Sequence, residues 1–153
     1  MRIVTAVGAT ALLALYPAQA QTLKPALDYV TAAKIRDGCI AWAAERNLHV
    51  ATAIFNSDGT LITFAKMDGV PAAIVEIAQW KGKSAATFQE ASANTANWGG
   101  PAPGMSTWGG GVPFFAEDGS PLGGVGTSGA ETGDDIACGE AGIAAAGMRA
   151  KAK

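Results

Sequence analysis

Histidine is almost absent from this chain, charge is sparse and cysteine comes as a single pair. Each shortage removes a class of chemistry. The 153 residues include one histidine, two cysteines and 16% charged residues. Ser84, Ser106 and Ser128 have no second histidine with which to build an acyl-transfer triad, and His49 has no carboxylate orienter evident in the sequence. A zinc or non-haem iron site needs three convergent N, O or S ligands, and one histidine with two cysteines expected to be oxidised argues against one. Basic residues do not outnumber acidic ones, at 11 against 13 with a net charge of −2. Lys24, Lys34, Arg36, Arg46, Lys66, Lys81 and Lys83 are scattered among acids, so no clustered cationic surface recruits nucleic acid.

Long apolar runs are also missing. The best one, Ile3 to Leu15, falls short of the roughly 20 residues of a membrane-spanning helix. It follows Arg2 and precedes Ala18-Gln19-Ala20, the pattern of an export signal with a small-residue cleavage site. Residues 1–20 are therefore expected to be a signal peptide and residues 21–153 a single mature domain, periplasmic or secreted, with no membrane association after processing. Gln21 at the position after cleavage excludes a lipidated cysteine. Export would place Cys39 and Cys138 in an oxidising compartment, where one disulfide is the simplest reading and two buried thiols the alternative.

What the chain does have is glycine, 20 residues of it. Much of it lies between Trp98-Gly99-Gly100-Pro101 and Gly123-Gly124-Val125-Gly126-Thr127-Ser128-Gly129. Such a cluster is kept where backbone takes positive φ or approaches a ligand or second element closely, or else it is a flexible loop beside a tightly packed strand. The run Gly123 to Gly126 lacks the strand-loop-helix setting and the later acid of a dinucleotide fingerprint.

Hydrophobic spacing predicts a helix from Ala26 to about Arg46, with Pro25 in its first turn, Leu27, Val30, Ile35, Cys39 and Trp42 on its apolar face and Asn47 ending it. Two β-rich runs, His49–Asn56 and Leu61–Lys66, flank Asp58-Gly59 as a hairpin. A second helix is predicted from Ala72 to about Ala93, then a long Gly/Pro loop from Asn94 to Gly111. A second hairpin pairs Val112–Glu117 with Leu122–Thr127 around Asp118-Gly119. A last helix starts at Glu131–Asp135 and runs to about Met148. The carboxylate pairs Glu117-Asp118 and Asp134-Asp135 read as turn and first-turn residues. The order gives an α+β fold, an antiparallel sheet flanked by helices on its faces, in which the first and last helices could lie side by side, an arrangement that would make a Cys39–Cys138 bridge geometrically possible.

Four segments in this order resemble the GlcG-like and HbpS-like haem-binding or haem-degrading domain, related to the PduO carboxy-terminal domain. They are Met67-Asp68-Gly69, Ile77-Ala78-Gln79-Trp80-Lys81-Gly82-Lys83-Ser84-Ala85, Gly110-Gly111-Val112-Pro113, and Gly123 to Gly129 followed by Asp134-Asp135-Ile136-Ala137. The resemblance spans about Leu27 to Gly147. It implies a profilin-like fold, homo-oligomers, and haem or a related planar or carboxylated small molecule as ligand. Enzymatic haem degradation and a sensor or partner-binding role are the alternatives it carries. An iron-binding pair of glutamates three apart, present in HbpS-like members, is not reproduced, since Glu76 is followed by Gln79.

Against that family, His49 is the nitrogen candidate for haem iron, or a surface residue at a strand start. Met105 is a thioether candidate or an apolar wall contact. Trp98 and Trp108 are placed to sandwich a planar ligand, or to form a lid or subunit contact. Lys81 pairs with a ligand carboxylate, or with Glu76 or Asp68. Gly110, Gly111 and Pro113 line the approach.

Overall fold

A computed structural model describes residues 24–100 and 102–150. The expected export signal, residues 1–20, lies outside the described residues.

Four antiparallel strands, β1 (Ala51–Asn56), β2 (Leu61–Lys66), β3 (Gly111–Phe115) and β4 (Pro121–Ser128), form one sheet in the order β2-β1-β4-β3. Each hairpin turns where expected. Asp58 Oδ1 accepts the Thr60 N–H at 2.9 Å, and Asp118 Oδ1 accepts the Ser120 N–H at 2.8 Å, the side-chain mimicry that makes aspartate a turn former. The hairpins then join through β1 and β4, with Thr52 opposite Thr127 and Ile54 opposite Val125.

Strand alternation sends successive residues of β1 to opposite layers. Ile54, Val112, Phe114 and Val125 pack with Ala32 and Ile35 of α1 (Tyr29–Ala44) and Ile143 of α3 (Thr132–Ala145). Ala51, Ala53 and Phe55 pack with Ala78 and Ala86 of α2 (Ala72–Phe88) on the other face. Helices thus cover both faces, as the α+β reading expects.

The helices are shorter than the spacing predicts, the first ending at Ala44 and the last at Ala145 rather than near Arg46 and Met148, and two boundaries have a clear local reason. The first helix begins at Tyr29, because Asp28 caps it by accepting the Thr31 N–H at 2.7 Å, which leaves Pro25 outside. Its buried face is Ala32, Ile35, Cys39 and Ala43, while Val30 is exposed. Alanines on that face let α3 approach, and larger residues were not needed. Asn47 does take the left-handed conformation expected of it, with φ 55°. The second helix stops at Phe88 rather than near Ala93, because Gln89 turns left-handed at φ 56° and a separate 3-10 turn, Ser92–Thr95, follows.

Cys39 and Cys138, both fully buried, form a disulfide between α1 and α3 with their Cα atoms 4.6 Å apart. The side-by-side placement of the outer helices permits it.

Candidate functional site

The site begins with two missing side chains. On the α2 face of β4, a Cβ at Gly126 would lie 2.0 Å from the Ala78 carbonyl oxygen and 2.1 Å from the Gly82 nitrogen, and one at Gly124 would lie 2.4 Å from the Ala86 nitrogen. Only glycine lets α2 rest on the strand at this distance. The close approach carries Lys81, one residue before Gly82, to the end of β4.

There its ammonium is enclosed. Lys81 Nζ donates to Asp135 Oδ2 at 2.8 Å, to the Thr127 carbonyl at 3.0 Å and to Ser128 Oγ at 3.3 Å. Asp135 Oδ1 accepts the Ala130 N–H at 3.1 Å. Burial pushes the Asp135 carboxyl above its ordinary pKa, while Lys81 and the Ala130 amide pull the other way. The partner expected for Lys81 within the protein was Glu76 or Asp68; the structure replaces both with Asp135, a residue whose place in the sequence marks it only as a first-turn acid of α3. A contact across 54 positions leaves no mark in local spacing.

Above this pair opens a cleft of about 490 Å³. Val70, Pro71, Ile74 and Ile77 line it from the start of α2, Trp108 from the glycine loop, and Ser128, Gly129, Ala130 and Thr132 from the β4–α3 junction. His49 stands exposed in its lining. His49 Nδ1 donates to the Asp68 carbonyl at 2.9 Å. A carbonyl can only accept, so Nδ1 carries a proton, and in the neutral imidazole Nε2 is the nitrogen with the free lone pair. Gly129 makes the junction possible: with φ 132°, a Cβ there would lie 2.5 Å from the His49 oxygen.

The other sequence candidates divide. Trp108 shares the His49 cleft and also borders a smaller apolar groove with Ile77, Trp80 and Met105. Trp98 packs edge-on to Phe88, ring centroids 5.4 Å apart, and lines a separate crevice with Met105 and Ser84. None of these three clefts is lined by both tryptophans, and Met105 is not in the lining of the one that holds His49. Buried serines fix this arrangement. Ser84 Oγ accepts the Ser106 N–H at 2.8 Å and donates to Met105 Sδ, and Ser92 Oγ accepts the Gly111 N–H at 3.0 Å and donates to the Trp108 carbonyl.

Gly110, Gly111 and Pro113 are buried and act on the site from behind. A Cβ at Gly110 would meet Lys81 Nζ at 2.9 Å, and one at Gly111 would meet the Lys81 carbonyl at 2.3 Å. Pro113 sits in β3 opposite Gly124. The residues that sequence reasoning misses include Asp135, Val70, Ile74 and Thr132. The Asp134-Asp135 motif is the one signal that points to any of them.

A search of the curated proteins finds no match. Several solved structures share the fold, among them the three that follow. The PduOC:haem complex has TM-score 0.73 and 21% identity, covering 82% of this chain and 98% of that one. HbpS has TM-score 0.75 and 24% identity, covering 86% and 97%. Protein ORFY of Klebsiella pneumoniae has TM-score 0.73 and 17% identity, covering 84% and 95%. The family model described as "Haem degrading protein HbpS-like" matches residues 27–144, and the chain belongs to that family.

Proposed function

We propose that the protein is an exported haem-binding protein whose ligand occupies the His49 cleft, with His49 Nε2 as the iron ligand. The hydrogen bond from His49 Nδ1 to the Asp68 carbonyl carries this reading. Metal-ligating imidazoles are commonly held through their other ring nitrogen in this way, and a neutral imidazole is a usual ligand of haem iron. The donor set and the walls fit the group. A cleft of about 490 Å³ lies within the range of cofactor sites, and Val70, Ile74, Ile77 and Trp108 offer apolar contact to a macrocycle. Among the relatives, PduOC was crystallised as a haem complex.

Haem, when bound, supplies a redox-active iron. The protein's own part is to ligate through His49, to exclude water with the apolar wall and to hold the cleft open by the Lys81–Asp135 pair.

Titrating the purified protein with haemin tests the reading. A saturable, sharpened Soret band is expected, lost or strongly shifted in His49→Ala and unchanged in Met105→Ala, whose side chain is not in that lining. A featureless, non-saturating spectrum overturns it.

Haem turnover is the second reading, favoured by the family's description as haem-degrading. Bleaching of the bound Soret band on adding ascorbate in air separates turnover from storage. Two further parts of the proposal rest on separate observations. Export is supported by the Arg2 to Ala20 signal pattern together with the Cys39–Cys138 disulfide, which suits an oxidising compartment. Self-association is supported by Trp80, Phe88, Trp98 and Trp108, large apolar side chains left exposed on α2 and the glycine loop.

A further inference from the structure

Among the described residues, Lys81 is the one lysine or arginine in the lining of the His49 cleft, and none of its hydrogens is free for a ligand. Three acceptors take them: Asp135 Oδ2, the Thr127 carbonyl and Ser128 Oγ. Its charge is matched by Asp135, which is 2% exposed. An incoming carboxylate would have to displace one of these acceptors or lie beside a buried carboxylate of the same sign. Separating a buried pair leaves an uncompensated charge, which is far costlier than breaking a surface contact.

The start of α3 offers no alternative anchor. Its free amides favour anions, but Asp134 and Asp135 already stand in that first turn, with Glu131 at the cap. The buried donor that remains is neutral. Ser128 Oγ accepts from Lys81, and its own proton has no acceptor among the described residues. One hydroxyl beside Asp135 does not balance an ionised group.

We infer that the floor of this cleft receives an uncharged edge of its ligand and leaves the ligand's carboxylates in solvent. This rests on the haem reading above and adds an orientation to it. Lys81 then organises the cleft and does not recognise the ligand's acid groups.

Haemin and its dimethyl ester, titrated under the same detergent conditions and followed at the Soret band, test the inference without altering the protein. Dissociation constants within about threefold of each other are expected, since no charge-assisted hydrogen bond is lost. An ester that binds about tenfold more weakly or worse, the scale of losing one such bond, overturns the inference and leaves haem binding intact. If neither compound binds saturably, the haem reading fails and the inference fails with it.

Discussion

Lys81 Nζ lies 2.8 Å from Asp135 Oδ2, and this contact ties the middle of α2 to the first turn of α3 across the end of β4. Replacing Lys81 by Met leaves a buried carboxylate without its counter-charge and is expected to cost about 3 kcal/mol at neutral pH. The double variant Lys81→Met/Asp135→Leu should recover much of that loss, because a neutral pair of similar volume needs no compensation. Urea unfolding of the three proteins measures both values. A single variant as stable as the wild type would show that the pair does not hold the cleft.

The same pair sets a pH dependence. Burial raises the folded pKa of Asp135, so its contribution to stability is fully present below the ordinary aspartate value and is lost as pH rises through the raised one. Lys81→Met removes a group that pulls this pKa down. The stability gap between variant and wild type should therefore be widest at neutral pH and narrow as pH falls into the acid range, because Asp135 in the variant takes up its proton above the ordinary aspartate value. Denaturant midpoints across that window check the sign; a gap that widens on acidification contradicts it.

Gly126 is expected to tolerate no side chain. A Cβ would meet backbone atoms of Ala78 and Gly82 at 2.0 and 2.1 Å, so α2 would have to move off the sheet, at a cost of about 3 kcal/mol or more. Gly133, in the first turn of α3 with nothing within 4 Å of an added Cβ, is the control. Gly133→Ala should be neutral or stabilising by up to about 1 kcal/mol. Thermal melts of the two variants decide the comparison.

Ser92→Ala should loosen the strand that carries the glycine loop. It removes the acceptor of the Gly111 amide and the donor to the Trp108 carbonyl, both in a buried setting, and leaving such groups unpaired costs about 1–3 kcal/mol. Tryptophan fluorescence and melting temperature should both shift. A change in neither would mean that the turn at Ser92–Thr95 is held by other contacts.

How much of this was legible in the sequence follows from the range over which each interaction acts. The hairpins were readable because Asp58-Gly59 and Asp118-Gly119 act within four residues. The last turn of α1 was readable from Asn47, whereas the end of α2 was not, since glutamine is an unusual left-handed residue and gives no warning at Gln89. Residue type and resemblance single out Lys81 and His49. Their surroundings stay hidden, because Asp135, Gly129 and Ser128 reach them through strand order and not through spacing. Trp98 and Trp108 bracket one loop in sequence, yet Ser84 and Ser92 pin that loop so that the two rings line different depressions.

Reduction should be felt throughout the molecule. The bond between Cys39 and Cys138 closes a loop of sequence separation 99, and on the chain-entropy model removing it costs about 4–5 kcal/mol. Cys39→Ser/Cys138→Ser is expected to fold with a markedly lower urea midpoint. An unchanged midpoint would show that packing of α1 on α3 suffices alone.

That bond also encircles both hairpins, α2 and the exposed glycine loop around Gly99 and Pro103. A protease that nicks the loop opens the circle without releasing a fragment. The nicked protein would migrate as one species on a non-reducing gel and as two after reduction, a two-chain form of the molecule obtained with no change to its sequence.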